Sequence, residues 1–199
     1  MKNTKTKILL FIIFLFLYGY GMFLYGRYCG ENNFKILAVT DNISSANKIQ
    51  NEITTFKNPT IRFIDGTKYI IAIRNATESD IDKAAVELAK NGILTDDVNV
   101  YINFDMAKFV SNSANREKLT QNLNKKIAKR LKLLDGIHEA KVDIKIPKNN
   151  MHTNNLPTAE IELKTSKDIN KKEISDIVKA IISSGIPGFN KNYIKINYI

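Results

Sequence analysis

Lys125 to Lys148, KKIAKRLKLLDGIHEAKVDIKIPK, changes its hydrophobic period halfway along. Leu119, Leu123, Ile127, Leu131 and Leu134 recur every three or four positions, which is one face of a helix, while Lys118, Lys125, Lys126, Lys129, Arg130 and Lys132 cover its other faces. After Asp135-Gly136 the period falls to two. Ala140, Val142, Ile144 and Ile146 alternate with Lys141, Asp143 and Lys145 up to Pro147, the pattern of a half-buried strand. An amphipathic helix feeding a one-faced strand has to lay its apolar stripe on a sheet, and that predicts a two-layer α+β unit.

Downstream, the turn-rich KNNMHTNNLP leads to a second alternating run in which Ala159, Ile161 and Leu163 separate Glu160 and Glu162. Pairing these two strands sets Lys141 and Lys145 near Glu160 and Glu162, each opposite-charge pair adding about 0.2–1 kcal/mol. Asn170 followed by Glu173 is a helix-capping pattern, and Ile174, Ile177, Val178 and Ile181 make the next stripe. Gly185-Ile186-Pro187-Gly188 breaks it, and Tyr193 to Ile199 alternates again. The order α-β-β-α-β fills residues 114–199.

Upstream, a polar, charge-mixed stretch at 104–113 reads as a linker. Before it, residues 34–103 form a smaller unit. Lys35 to Thr40 is a short apolar strand, with Asp41 or Asn42 as the cap of a helix whose face is Ala46, Ile49, Ile53 and Phe56. Asn58-Pro59 stops that helix. Thr60 to Ile64 and Tyr69 to Ile73 are β-rich and flank Asp65-Gly66, a hairpin signal. Thr77 with Asp80 resembles a capping box, and Ile81, Ala84, Ala85 and Leu88 line a helix that ends at Asn91-Gly92. The order is β-α-β-β-α, with Val98 to Ile102 placed to close the sheet.

At the other end, Ile8 to Tyr25 (ILLFIIFLFLYGYGMFLY) holds eighteen residues without a charge, roughly 27 Å of helix and enough to span a bilayer. Lys2, Lys5 and Lys7 in the basic segment 1–7 hold the N-terminus on the cytoplasmic side and send the remainder across the membrane. Tyr18, Tyr20 and Tyr25 suit an interfacial belt. Segment 8–25 is read as a transmembrane anchor, with a cleaved signal as the rival. Cys29 is a possible lipidation site, although Gly26-Arg27-Tyr28 before it is a poor lipobox.

Composition narrows the chemistry. Among 199 residues, 30 Lys+Arg against 20 Asp+Glu give +10, but four of those bases lie in the first 29 residues, so the exported part is only +6. One Cys and two His are too few for a structural zinc site or a dithiol pair. His138 and His152 have no nucleophile or paired carboxylate at catalytic spacing, and Asp96-Asp97 reads as a turn. No catalytic, cofactor-binding or metal residue is therefore expected. A KH-like reading of the basic α-β-β-α-β unit rests on Gly185 to Gly188 as a GxxG, but its middle lacks a basic residue and the predicted topology places it away from RNA.

Residues Phe109 to Ile199 resemble the second ring-building domain of the YscJ/FliF family, the inner-membrane ring proteins of type III secretion systems and of the flagellar MS ring. Gly136, Ala140, Val142 and Pro147 stand where that family's pattern expects them, and Ile137 replaces the usual Val. PTAEIELKT is similar to its second strand and DIVKAIISSGIPGFNKNYIKINYI to its closing helix, turn and strand; KILAVTDNISSANKIQNEI resembles the strand and helix of the preceding ring-building domain. The resemblance implies a structural, non-enzymatic subunit of a homo-oligomeric ring around the export apparatus, set in the bacterial inner membrane with its domains in the periplasm. It implies secretion-system ring and export-apparatus proteins as partners, with no nucleic acid and no small-molecule substrate. The compact secretion type fits better than a truncated flagellar one. Ring closure needs two complementary surfaces per subunit. Lys118, Lys125, Lys126, Lys129 and Arg130 on the first helix, and Glu160, Glu162, Glu173 and Asp176 on the strand and last helix, are the expected subunit interface.

Overall fold

Asn42, Thr77 and Asn170 each sit in extended backbone and accept a hydrogen bond from an N–H of the helix that follows. These caps satisfy donors that a helix start leaves without an internal partner. At Thr77 the box is reciprocal: Asp80 N–H donates to Thr77 Oγ1 at 3.1 Å, and Thr77 N–H to Asp80 Oδ2 at 2.8 Å. The computed structural model describes residues 18–22, 34–54, 59–64, 67–102, 116–147, 156–186 and 189–199.

The first unit runs β1 (Phe34–Thr40), α1 (Ile43–Ile53), β2 (Pro59–Ile64), β3 (Lys68–Arg74), α2 (Glu78–Lys90) and β4 (Val98–Val100). Its sheet has the order β2-β3-β1-β4 and is antiparallel throughout. β4 lies beside β1, with Thr40 opposite Val98, so the stretch expected to close the sheet does so. Ala46, Ile49 and Ile53 of α1 and Ala84 and Leu88 of α2 are fully buried, as their spacing predicts.

The second unit runs α3 (Arg116–Leu131), β5 (Ile137–Lys145), β6 (Thr158–Thr165), α4 (Lys171–Gly185), a 3-10 turn (Lys191–Tyr193) and β7 (Ile194–Tyr198). Its sheet is mixed. β5 pairs antiparallel with the central β6, and β7 returns parallel to β6 after the α4 crossover. Leu123, Ile127, Leu131 and Leu134 are buried, Leu134 from the turn beyond the helix end. Gly136 turns the chain at φ 81°, in the left-handed region, and its carbonyl accepts from Ser166 N–H at 2.9 Å. Along the outer edge of β5, Ile144 N–H donates to Asn124 Oδ1 of α3 at 3.2 Å, which occupies a donor another strand could use.

The architecture is thus two small sheets, each with helices on one face. Among the described residues no helix is long and apolar enough to cross a membrane. Residues 18–22 are helical; the rest of segment 8–25, the basic N-terminus, Cys29, Phe56, Asp65-Gly66, the 104–113 linker, His152 and Pro187-Gly188 lie outside the described residues.

Candidate functional site

The helical layers of the two units meet. α2 packs against α3 and α4, and β4 against α4, so buried residues of both units form one apolar cluster. At the centre of this seam is an ion pair. Arg130 donates from Nη2 to Asp82 Oδ1 at 2.7 Å and from Nε to the same oxygen at 3.0 Å, with a longer 3.4 Å contact from Nη2 to the Tyr101 carbonyl. The Arg130 residue is only 3% exposed, and its Nη1 is buried without a hydrogen-bond partner. A guanidinium that far from water is tolerated only because a carboxylate faces it.

This corrects the expectation for Arg130. At 100° per residue it falls on α3 between Leu119 and Leu123, within the arc of the apolar stripe, and it turns inward to the first unit, so it offers no surface to another subunit.

Two exposed pairs flank the seam. Lys90 Nζ donates to Asp135 Oδ2 at 2.8 Å; that bond lowers the Asp135 pKa and raises that of Lys90. Lys191 Nζ donates to Asp96 Oδ1 at 2.9 Å. Exposed pairs of this kind contribute little stability and mostly restrict geometry. Asp97, beside Asp96, has its carboxyl held below the usual range by hydroxyls, first Ser45, then Thr95 and Thr40; Thr40 Oγ1 donates to its Oδ2 at 3.0 Å. Gly185 also belongs to the seam, because a Cβ there would run into the Ile102 side chain.

Beside the Arg130–Asp82 pair lies a cavity of about 340 Å3. Phe34, Ile36, Ile81 and Ile102 give it an apolar floor, with Tyr101 at one side. Lys35, Lys126, Lys129 and Arg130 outnumber Glu78 and Asp82 among its charged lining residues.

Further round α3 from Lys126, the lysines Lys118, Lys125, Lys129 and Lys132, the last just past the helix end, fall within about 60° of arc, with Lys129 at the cavity edge of the group. No ion pair to these four lysines forms among the described residues, and like charges at this spacing disfavour the helix by a few tenths of a kcal/mol each. Glu173 and Asp176 are exposed on the first turns of α4 and, with Lys90 and Lys172, line a groove of about 440 Å3 that also includes Ala89, Ile177 and Ala180.

Glu160 and Glu162 lie on the open face of the second sheet among strand neighbours. Glu160 accepts from Lys195 at 3.1 Å and Asn197 at 3.2 Å on β7, and Lys195 lowers its pKa. Glu162 accepts from Lys141 at 3.3 Å, as the strand register predicts. Lys145 pairs within its own strand with Asp143 at 3.8 Å, and Lys164 reaches Glu139 at 3.7 Å. Four lysines and four carboxylates therefore share the open sheet face, which is neutral. His138 Nε2 lies 3.0 Å from Ser166 Oγ at the exposed start of β5. Neither Asp82 nor the flanking seam pairs was singled out from sequence; nothing local distinguishes Asp82 from any exposed helix carboxylate.

Residues 103–197 match the family described as secretory protein of YscJ/FliF RBM domain. No curated protein sequence matches the chain. Among solved structures, the chain is similar to the type III secretion system protein EscJ of enteropathogenic E. coli at 14% identity, covering 84% of this chain and 98% of that one, with a TM-score of 0.33. It is also similar to a 58–213 fragment of FliF at 15% identity, covering 78% of this chain and 99% of that one, with a TM-score of 0.38.

Proposed function

The chain belongs to the YscJ/FliF family through residues 103–197, and from that membership we infer that it is a structural subunit of an inner-membrane secretion ring. The family match carries this reading, because it runs from ahead of α3 into β7. Two ring-building modules, 34–103 and 114–199, are joined by the 104–113 linker and tethered by segment 8–25, with both modules in the periplasm. The ring is that of a type III secretion system, around its export apparatus; a flagellar MS ring is the second reading.

The subunit contact is heterologous. The face of α3 with Lys118 and Lys125 meets the start of α4 with Glu173 and Asp176 on the next copy. The lysines and the two carboxylates are exposed and of opposite sign, with Lys90 and Lys172 sharing the groove with Glu173 and Asp176, and two unlike surfaces suit a head-to-tail contact that closes. Charge there sets register and rejects wrong partners, while membrane confinement raises the effective concentration of a small interface. Lys126 and Lys129 line the seam cavity instead, and Glu160 and Glu162 are hydrogen-bonded to their strand neighbours.

Negative-stain imaging of the detergent-solubilised full chain, with mass spectrometry of its N-terminus, tests the assembly and the anchor together. Rings that disappear in Lys118→Glu/Lys125→Glu and return on adding Glu173→Lys/Asp176→Lys are expected. Strict monomers on a crowded lipid surface, with no crosslink between copies, would refute the reading.

A further inference from the structure

We propose that the seam cavity binds the anionic headgroup of a phospholipid at a site separate from the subunit contact, an inference that rests on the reading of segment 8–25 as a membrane anchor and not on ring assembly. Three observations meet there. First, the cavity joins an apolar floor, Phe34, Ile36 and Ile102, to a lining with two more cations than anions, which is the polarity of an acidic amphiphile. Secondly, its wall contains Arg130, which is more than nine-tenths buried and has spent Nε and Nη2 on Asp82 and Tyr101 while Nη1 has no partner. A buried donor without an acceptor is uncommon, and a phosphate oxygen is the strongest acceptor for a guanidinium. Thirdly, β1, which supplies Phe34, Lys35 and Ile36, is separated from the uncharged run Ile8 to Tyr25 only by residues 26–33. The cavity is therefore built on the strand that follows a bilayer-length apolar segment.

The volume decides the class further. About 340 Å3 accommodates a glycerophosphate headgroup and the first methylenes of its chains, and not two whole acyl chains. The phosphate lies among Lys35, Lys126 and Arg130, and the glyceryl carbons lie over Phe34 and Ile36. Phosphatidylglycerol fits this charge. Phosphatidylcholine brings a bulky cation into a cationic lining and does not.

Native mass spectrometry of the full chain released from mixed micelles tests this, with phosphatidylglycerol, phosphatidylcholine and inorganic phosphate as probes. One phosphatidylglycerol per chain is expected to be retained, and phosphatidylcholine to be lost. Lys35→Ala/Lys126→Ala is expected to weaken retention about 25-fold, from about fivefold per basic residue near an anionic lipid. Lys118→Ala/Lys125→Ala, roughly 80–100° round α3 from Lys126 and outside the cavity lining, leaves it unchanged. Equal loss in both double variants would mean diffuse charge attraction and overturn the site. Retention of the two lipids alike would do the same, and displacement by millimolar inorganic phosphate would show that the ligand is a free anion and not a lipid.

Discussion

Replacing Asp82 by Ala removes both strong hydrogen bonds of Arg130 and leaves its guanidinium facing only the Tyr101 carbonyl at 3.4 Å. The Asp82 side chain is 17% exposed and that of Arg130 4%, so water reaches the orphaned charge poorly. Breaking a buried pair from one side costs about 3–5 kcal/mol. The partial exposure of Asp82 and the Nη1 already unpaired in the folded chain place the expected loss near the low end, about 3 kcal/mol. For a protein of this size that corresponds to a fall of roughly 6–12 °C in Tm. Urea unfolding followed by circular dichroism measures it, and the informative comparison is the double variant Asp82→Leu/Arg130→Met. Apolar replacement of both partners abolishes the charge to be buried, so it should regain most of the lost stability. A loss below about 1 kcal/mol in Asp82→Ala, or a double variant no more stable than the single one, would refute the claim that the seam is organised around a buried charge pair.

Gly185→Ala is expected to destabilise by about 1–3 kcal/mol through overpacking against the Ile102 side chain, and Ile102→Val, which removes the clashing methyl group, should return part of that in thermal melts. Gly136→Ala combines a φ of 81° with a Cβ 2.6 Å from Ile169 Cγ2; a loss of about 1–3 kcal/mol by urea titration is expected, and an unchanged midpoint would show that the turn can reshape. The pKa of Asp97 is lowered on folding, so the unfolded chain binds its proton more readily and this carboxyl contributes stability above the ordinary aspartate pKa, near 3.9, that is lost as pH falls through its folded value. Asp97→Asn should therefore flatten the acid limb of a stability–pH profile below about pH 4 and leave the shape of the neutral region unchanged.

The elements were legible because each depends on a period or a cap within a few residues. Ala46, Ile49 and Ile53, or Val142 and Ile144, declare a buried face whatever lies on the other side of it. The candidate site depends on contacts between distant elements. Asp82 and Arg130 are 48 positions apart, Lys90 and Asp135 45, and Asp96 and Lys191 95, so no local pattern couples them. Arg130 sits four residues after Lys126 on the same helix and reads as one more solvated cation until α2 is laid against it. Glu160 faces Asp143 across the β5 register with Lys145 near enough to help lower its pKa, as the pairing predicts, but its hydrogen bonds go to Lys195 and Asn197, because alternation identifies a residue's face and not the strand on its other side. The pairing of Lys141 with Glu162 was legible, since both follow from one antiparallel register.

The charge pair across the seam also constrains how such chains can diverge. A substitution at position 82 or 130 alone strands an ion in the interior, whereas a joint change to two apolar side chains does not. The two positions are therefore expected to covary among related sequences, and a chimera that grafts the first module of one relative onto the second module of another should fold only when both donors carry the same solution.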